Sequence, residues 1–310
     1  MAEASPETGI VCEGPDPRPY RPEQPAPAGS WDCHAHVFGP ESRFPYFRPR
    51  LYTPPDASLD CYLAMLDTLG IARGVLLQPS IYDNDSRCML DALERSNGRL
   101  RGVVATDPRK QSDRQIADWT YVGVCGMRFN MMTPAGSSLS SIGDIGRRLA
   151  EIGWHMSLLV DTTERLVELE PTLRSMPCRV VVEQMGRTKA AASATSAGFQ
   201  ALLRLLSDRA VWVKLSHAYH LSTLGRPPYE DTIALARACI DAAPDRAVWG
   251  SDWPHAMMHG SMPNDGFLFE LLDQWINQPE RPAGSQRDIR QMILVDNPTA
   301  LYGSPARTAK

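Results

Sequence analysis

Residues 30–40 read SWDCHAHVFGP and place two histidines, His34 and His36, one residue apart behind a short apolar lead-in. On a β-strand, residues i and i+2 share a face. Both imidazoles are therefore expected to project into one place at the end of a strand. There they could hold a metal, handle a substrate directly, or fill space.

The elements that would carry them are legible as an alternation. Eight apolar, β-branched-rich runs recur: WDCHAHVF, ARGVLLQPS, LRGVVATD, GVCGMRFN, WHMSLLVD, CRVVVEQ, AVWVKLS and RAVWGSD. Amphipathic segments such as ASLDCYLAMLDTLG, CMLDALERSN, IGDIGRRLAEIG, TERLVELEPTLR, FQALLRLLSD and DTIALARACIDAA lie between them. Strands alternating with helices imply βαβ units and a parallel sheet. Eight such repeats predict an α/β fold of the (β/α)8, TIM-like barrel kind. No G-x-G-x-x-G follows the first strand, so a dinucleotide-binding sheet lacks its main support.

A barrel of this kind places its site at the C-terminal ends of its strands. The polar residues fall there. Strand 1 ends in His34 and His36, strand 2 in Gln78 and Ser80, strand 4 in Arg128 and Asn130. Strand 6 ends in Glu183 and Gln184 with Arg187 just beyond, strand 7 runs into Ser216, His217, Tyr219 and His220, and strand 8 ends in Asp252 followed by His255. Of the seven histidines only His155 sits near a strand start, and it reads as a structural residue of the barrel bottom. His259 reads as a loop residue, Tyr219 as a core cap, and Arg128 could pair with Glu183 inside the barrel. The trio His34, His36 and Asp252 is harder to explain by packing. Strands 1 and 8 are neighbours in a closed barrel, and three adjacent polar groups cost desolvation without an apolar return.

The bulk properties bound what such a site could serve. A net charge of −4 without long runs of one sign argues against nucleic-acid or membrane partners. No apolar run approaches the roughly 20 residues that span a bilayer. The opening MAEASPETGI lacks the basic and apolar regions of a secretory signal. The seven cysteines are scattered, odd in number and without a CxxC pair, as expected of reduced thiols in a cytoplasmic protein. Residues 1–29 are proline-rich and predict an extended or partly disordered arm lying on a single barrel domain at 30–303, with a loose tail at 304–310. Nothing in the patterning sets an oligomeric state.

DCHAHVF at strand 1 with VWGSDWPH at strand 8 resembles the amidohydrolase superfamily. With LLQPS, GMRFN and MGR after strands 2, 4 and 6, the chain is similar to the group that holds 2-pyrone-4,6-dicarboxylate lactonase and related sugar lactonases. The resemblance covers residues 30–303 and implies hydrolysis of a lactone ring in a small, carboxylate-bearing substrate. It implies Asp252 as the general base toward water and His34 and His36 at the scissile carbonyl. Tyr52, Ser80, Arg128, Arg187 and the strand 7 loop from His217 to His220 would hold the substrate's anionic groups. Gln184 and His255 join the substrate-binding candidates.

The superfamily at large binds one or two divalent metals through the paired histidines, further histidines on strands 5 and 6, and the strand 8 aspartate. The pyrone-dicarboxylate type works without metal. Here strand 6 reads VVEQMGR, with Gln184 where the family has a histidine, and strand 5 ends in Asp161 with no histidine. The loop MMTPAGSS after strand 4 carries no cation where the dicarboxylate lactonases have arginine. The expectation is a metal-independent site with no cofactor; the alternative is one zinc or manganese ion on His34, His36 and Asp252. Two competing functions stand beside lactone hydrolysis: a metal-dependent decarboxylase or hydrolase of an aromatic or unsaturated acid, and a degenerate enzyme kept as a small-molecule binding module.

Overall fold

In the computed structural model of the chain, residues 9–132, 139–192, 195–258, 261–277 and 285–303 are described. The expected loose tail, the first eight residues of the arm, most of the loop MMTPAGSS, and His259 lie outside the described residues. Eight parallel strands form the sheet: β1 (Trp31–Ala35), β2 (Arg73–Leu77), β3 (Leu100–Val104), β4 (Val124–Asn130), β5 (His155–Leu159), β6 (Val180–Val182), β7 (Trp212–Leu215) and β8 (Ala247–Trp249), each pairing with its neighbour in sequence. They correspond one to one with the eight apolar runs. Parallel strands under helices are buried on both faces, so they read as continuous apolar runs.

The outer layer comprises α1 (Leu59–Leu69), α2 (Arg87–Arg95), α3 (Asp113–Val122), α4 (Ile142–Glu151), α5 (Arg165–Arg174), α6 (Ala197–Ser207), α7 (Thr232–Ala242) and α8 (Asp265–Ile276). Local chemistry sets their ends. Ser58, Ser112 and Ser196 cap α1, α3 and α6 by accepting bonds from backbone N–H groups one turn in. Residues facing the helices make one large core, while Trp31, Cys33, Val75, Leu77, Val103, Val181 and Val248 fill the barrel interior with Leu301 and Tyr302. Tyr302 plugs the barrel bottom from the final helix Asn297–Tyr302, its ring 5.2 Å from His155. His155 thus sits at the end opposite the strand-end histidines.

The ring closes between the first strand and the segment after the last. Asp252 N–H donates to His34 O at 2.9 Å and His36 N–H to Trp253 O at 2.8 Å, around a parallel bridge between Ala35 and Trp253. Asp32 clasps the same seam, accepting from Ser251 N–H at 2.9 Å, Ser251 Oγ at 2.6 Å and Tyr62 OH at 3.0 Å. The backbone that closes the barrel is therefore the backbone that carries His34, His36 and Asp252.

From residue 9 the arm lies on the barrel. Ile10–Val11 pair in parallel with Tyr52–Thr53. Tyr20 OH donates to Glu270 Oε2 at 2.8 Å, and Arg290 reaches the carbonyls of Gln24 and Pro25 at 3.2 and 3.0 Å. No helix among the described residues is long and apolar enough to cross a membrane.

Candidate active site

The histidine pair meets at the mouth, where the β1–β2 register shifts between Asp32 and Ala35. The imidazoles of His34 and His36 stand edge to face with centroids 5.1 Å apart, both buried. Across the seam, Asp252 Oδ1 lies 3.1 Å from His34 Nε2 without the alignment of a hydrogen bond.

Asp252 is held from its other oxygen. Oδ2 accepts from His217 Nδ1–H at 2.6 Å and from Tyr219 OH at 2.5 Å. Burial alone would push this carboxyl up; the His217 imidazole beside it outweighs burial and keeps it well below the usual carboxylate range. Asp252 is thus an anion with one saturated and one open oxygen. His34 is the reverse. Burial, reinforced by the Lys214 ammonium, holds its imidazole well below the ordinary value, so it is neutral, and neither ring nitrogen has a hydrogen-bond partner. His36 Nδ1 lies 2.7 Å from Leu77 O, which as a carbonyl can only accept. The proton of His36 therefore sits on Nδ1, leaving Nε2 with a lone pair; burial and then Arg128 lower its pKa to about 4.

The flanking residues sort into committed and free groups. Arg128 is committed: its Nε and Nη2 donate to Glu183 Oε1 and Oε2 at 3.1 and 2.8 Å, and Ser157 Oγ donates to Oε1 at 2.7 Å. Arg128, a candidate for holding a substrate anion, thus spends Nε and Nη2 on a bidentate fork to a buried carboxylate, which leaves Nη1, 3.5 Å from Gln78 O, as its remaining donor group. His255 was expected at the substrate. Instead it is fully buried behind Tyr219, with Nδ1 3.2 Å from Tyr219 OH and Nε2 3.1 Å from Asp265 Oδ1, so no ring nitrogen remains for a ligand. Tyr52 is buried, its hydroxyl bonded to the Ser80 side chain, and burial pushes it up to about 12. His220 stacks on His217 with centroids 4.3 Å apart.

Three groups lack partners among the described residues. Arg187 is half-buried, burial lowers its pKa, and its guanidinium has no hydrogen bond or ion pair among the described residues. Gln184 is buried with Oε1 unpartnered, as is Ser216 Oγ at the end of β7. Gln184, Arg187, His217, Asp252 and His255 all have left-handed backbones, with φ of 53, 56, 71, 68 and 61°. Such conformations are uncommon outside glycine and persist where surrounding structure imposes them, often at functional sites. Asp265 escapes the sequence analysis; Tyr219, within HAYH at a strand end, reads there as a core cap and Glu183 as a possible partner of Arg128.

The donor set fits one divalent ion. One ligand atom each from His34, His36 and Asp252 lies within 4.8 Å of the others. The unpartnered nitrogens of His34 and the fixed tautomer of His36, backed by a carbonyl, are what a metal-ligating histidine requires.

Residues 31–304 match the sequence profile of the family described as Amidohydrolase. The chain is 34% identical to a 4-sulfomuconolactone hydrolase of Hydrogenophaga intermedia over 100% of both chains. It is 35% identical to a 2-pyrone-4,6-dicarboxylate hydrolase of Comamonas testosteroni over 92% of this chain and 93% of that one. A crystal structure of a 2-pyrone-4,6-dicarboxylic acid hydrolase homologue from Pseudomonas putida superposes with a TM-score of 0.72 at 32% identity, over 90% of this chain and 99% of that one.

Proposed function

The chain belongs to the amidohydrolase family, and from that premise we propose that it is a hydrolase that opens a lactone, or a similarly activated cyclic ester, of a small anionic substrate. The observation that carries this reading is an ionised Asp252, open at Oδ1, at the same strand-end face as Arg187, whose guanidinium makes no hydrogen bond or ion pair among the described residues. A half-buried guanidinium with no hydrogen bond or ion pair among the described residues calls for an anion, and bidentate pairing suits a carboxylate or sulfonate. Asp252 Oδ1 takes the proton of the attacking water. The lactone C–O bond then breaks, and the ring oxygen leaves with that proton to give the open acid. Negative charge on the tetrahedral oxygen needs donors. The single N–H of His36 is committed to Leu77, so donation falls to His34, whose ring nitrogens make no hydrogen bond to the protein. Pyrones and enol lactones have good leaving groups, which suits this modest apparatus. Seven unpaired cysteines support a reducing, cytoplasmic setting.

A second reading concerns the cofactor. The sequence favours a metal-free site because of Gln184 and the histidine missing from β5. The His36 tautomer favours one zinc or manganese ion on His34 Nε2, His36 Nε2 and Asp252 Oδ1. When bound, such an ion would polarise the lactone carbonyl and acidify water. Turnover of sulfonated and carboxylated lactones by protein stripped with dipicolinate, then resupplied with zinc or manganese, tests both readings. Ring opening that survives stripping supports the metal-free site, and loss with recovery supports the ion. Release of carbon dioxide from an aromatic acid instead would replace the reading with a decarboxylase. Thermal stabilisation by lactones without turnover would leave a binding module.

A further inference from the structure

Behind Asp252 runs a chain of buried polar groups to which the proposed chemistry gives no part. Tyr219 OH lies 2.5 Å from Asp252 Oδ2 and 3.2 Å from His255 Nδ1, and His255 Nε2 lies 3.1 Å from Asp265 Oδ1. Both His255 and Asp265 are fully buried. The directions of these bonds follow from counting protons. Tyr219 has one proton, and the carboxylate of Asp252 can only accept, so that proton points to Oδ2. The phenol oxygen then accepts from His255 Nδ1–H while Nε2–H donates to the Asp265 carboxylate, so His255 carries both ring protons as an imidazolium. Every donor is used once, and all bonds run toward the two carboxylates.

We infer that Tyr219, backed by His255 and Asp265, is a positioning residue that fixes the Asp252 carboxylate with Oδ2 bound and Oδ1 open toward His34. Tyr219 and His217 grip the same oxygen from two sides, at 2.5 and 2.6 Å, so the carboxylate cannot rotate without losing both bonds. His255 makes its contact toward Asp252 through the Tyr219 hydroxyl, and meets the Tyr219 ring edge to face with centroids 5.2 Å apart. Asp265 is the first residue of α8, directly after the capping Asn264, so a helix start anchors the far end.

The inference rests on lactone hydrolysis only for its kinetic arm. In Tyr219→Phe the expected loss is about 10- to 100-fold in kcat, the range of losses for outer groups that orient a reactive group. KM should stay within about twofold, because Arg187 still holds the substrate. His255→Gln should lose less, and Tyr219→Phe/His255→Gln should lose no more than Tyr219→Phe alone, since the histidine works through the hydroxyl. Additive losses, or an unchanged kcat in Tyr219→Phe, would overturn the assignment. Crystal structures of the two single variants give a readout independent of any substrate. The Asp252 carboxylate should turn away from its present orientation while residues 250–257 keep their path. An unmoved carboxylate defeats the inference even if wild-type protein opens lactones, and a moved one sustains it even if it opens none.

Discussion

Asp252 is the residue on which the chemistry turns, and its two oxygens have different work. Asp252→Asn keeps the shape but can neither accept the water's proton nor carry the charge that His217 and Tyr219 stabilise. Its kcat should fall by about 10²- to 10⁴-fold, the usual worth of a general base, with circular dichroism unchanged. A rate within a few-fold of wild type would remove Asp252 from the mechanism. Arg187 works on binding. Because its guanidinium makes no hydrogen bond or ion pair among the described residues, Arg187→Gln should raise KM for an anionic lactone by roughly 10- to 100-fold, equivalent to about 1.5–3 kcal/mol for a hydrogen bond to a charged group, with kcat little affected. Gln184 bears on selectivity. Its buried Oε1 lacks a donor, so a substrate hydroxyl could supply one. Gln184→His replaces that acceptor and should shift relative kcat/KM across mono- and dianionic lactones. An unchanged ranking would mean that Gln184 only braces the MGR turn.

At the scale of elements, all eight strands were legible because parallel strands covered on both faces must be apolar throughout. Helix α3 was harder to see: only Ile116 along its length is buried, so its apolar face is thin. The site was legible as a set of strand-end residues and illegible as an arrangement. Alternation along β1 predicts that His34 and His36 share one place, and they meet there, at a strand end where the β1–β2 register shifts. The left-handed backbones of Gln184, His217 and Asp252 leave no mark in residue type, because tertiary packing imposes them. Partner choice is also a matter of three dimensions. Arg128 and Glu183 stand 55 residues apart, and sequence could offer their pairing only as one option. The structure makes that pair the tie between β4 and the end of β6. Glu183→Gln would strip the buried Arg128 of its bidentate carboxylate partner, and breaking a buried pair typically costs about 3–5 kcal/mol. Urea denaturation should register that loss as a lower midpoint with an unchanged slope. A stability within 1 kcal/mol of wild type, on the order of a surface change, would mean that other groups neutralise Arg128.

Taken as a whole molecule, the barrel binds its stability and its chemistry at one seam. Gly250, the first residue after β8, donates its N–H to Leu215 O at 3.1 Å, and the chain then turns through Ser251 and Asp252 onto β1. The approach there is close enough that only glycine fits. A Cβ at position 250 would stand 2.6 Å from His34 Cβ and 2.9 Å from His34 N. Neither obstacle is the flexible tip of a side chain, so Gly250→Ala must push β1 and β8 apart. Three things should then fail together. The bonds from Asp252 N–H to His34 O and from His36 N–H to Trp253 O lengthen, the Asp32 clasp on Ser251 loosens, and His34 moves from Asp252 Oδ1. Overpacking of this kind costs roughly 1–3 kcal/mol, and a displacement of about 1 Å near the chemistry can lower the rate about 100-fold. Gly143 in α4 is the matched comparison. A Cβ there meets nothing nearer than Arg147 Nη1 at 3.9 Å, so Gly143→Ala should raise stability by about 0.5–1 kcal/mol and leave turnover alone. Thermal melts and kcat measured side by side on the two variants read the coupling directly. If Gly250→Ala loses stability but keeps its rate, the seam closes the barrel without setting the site.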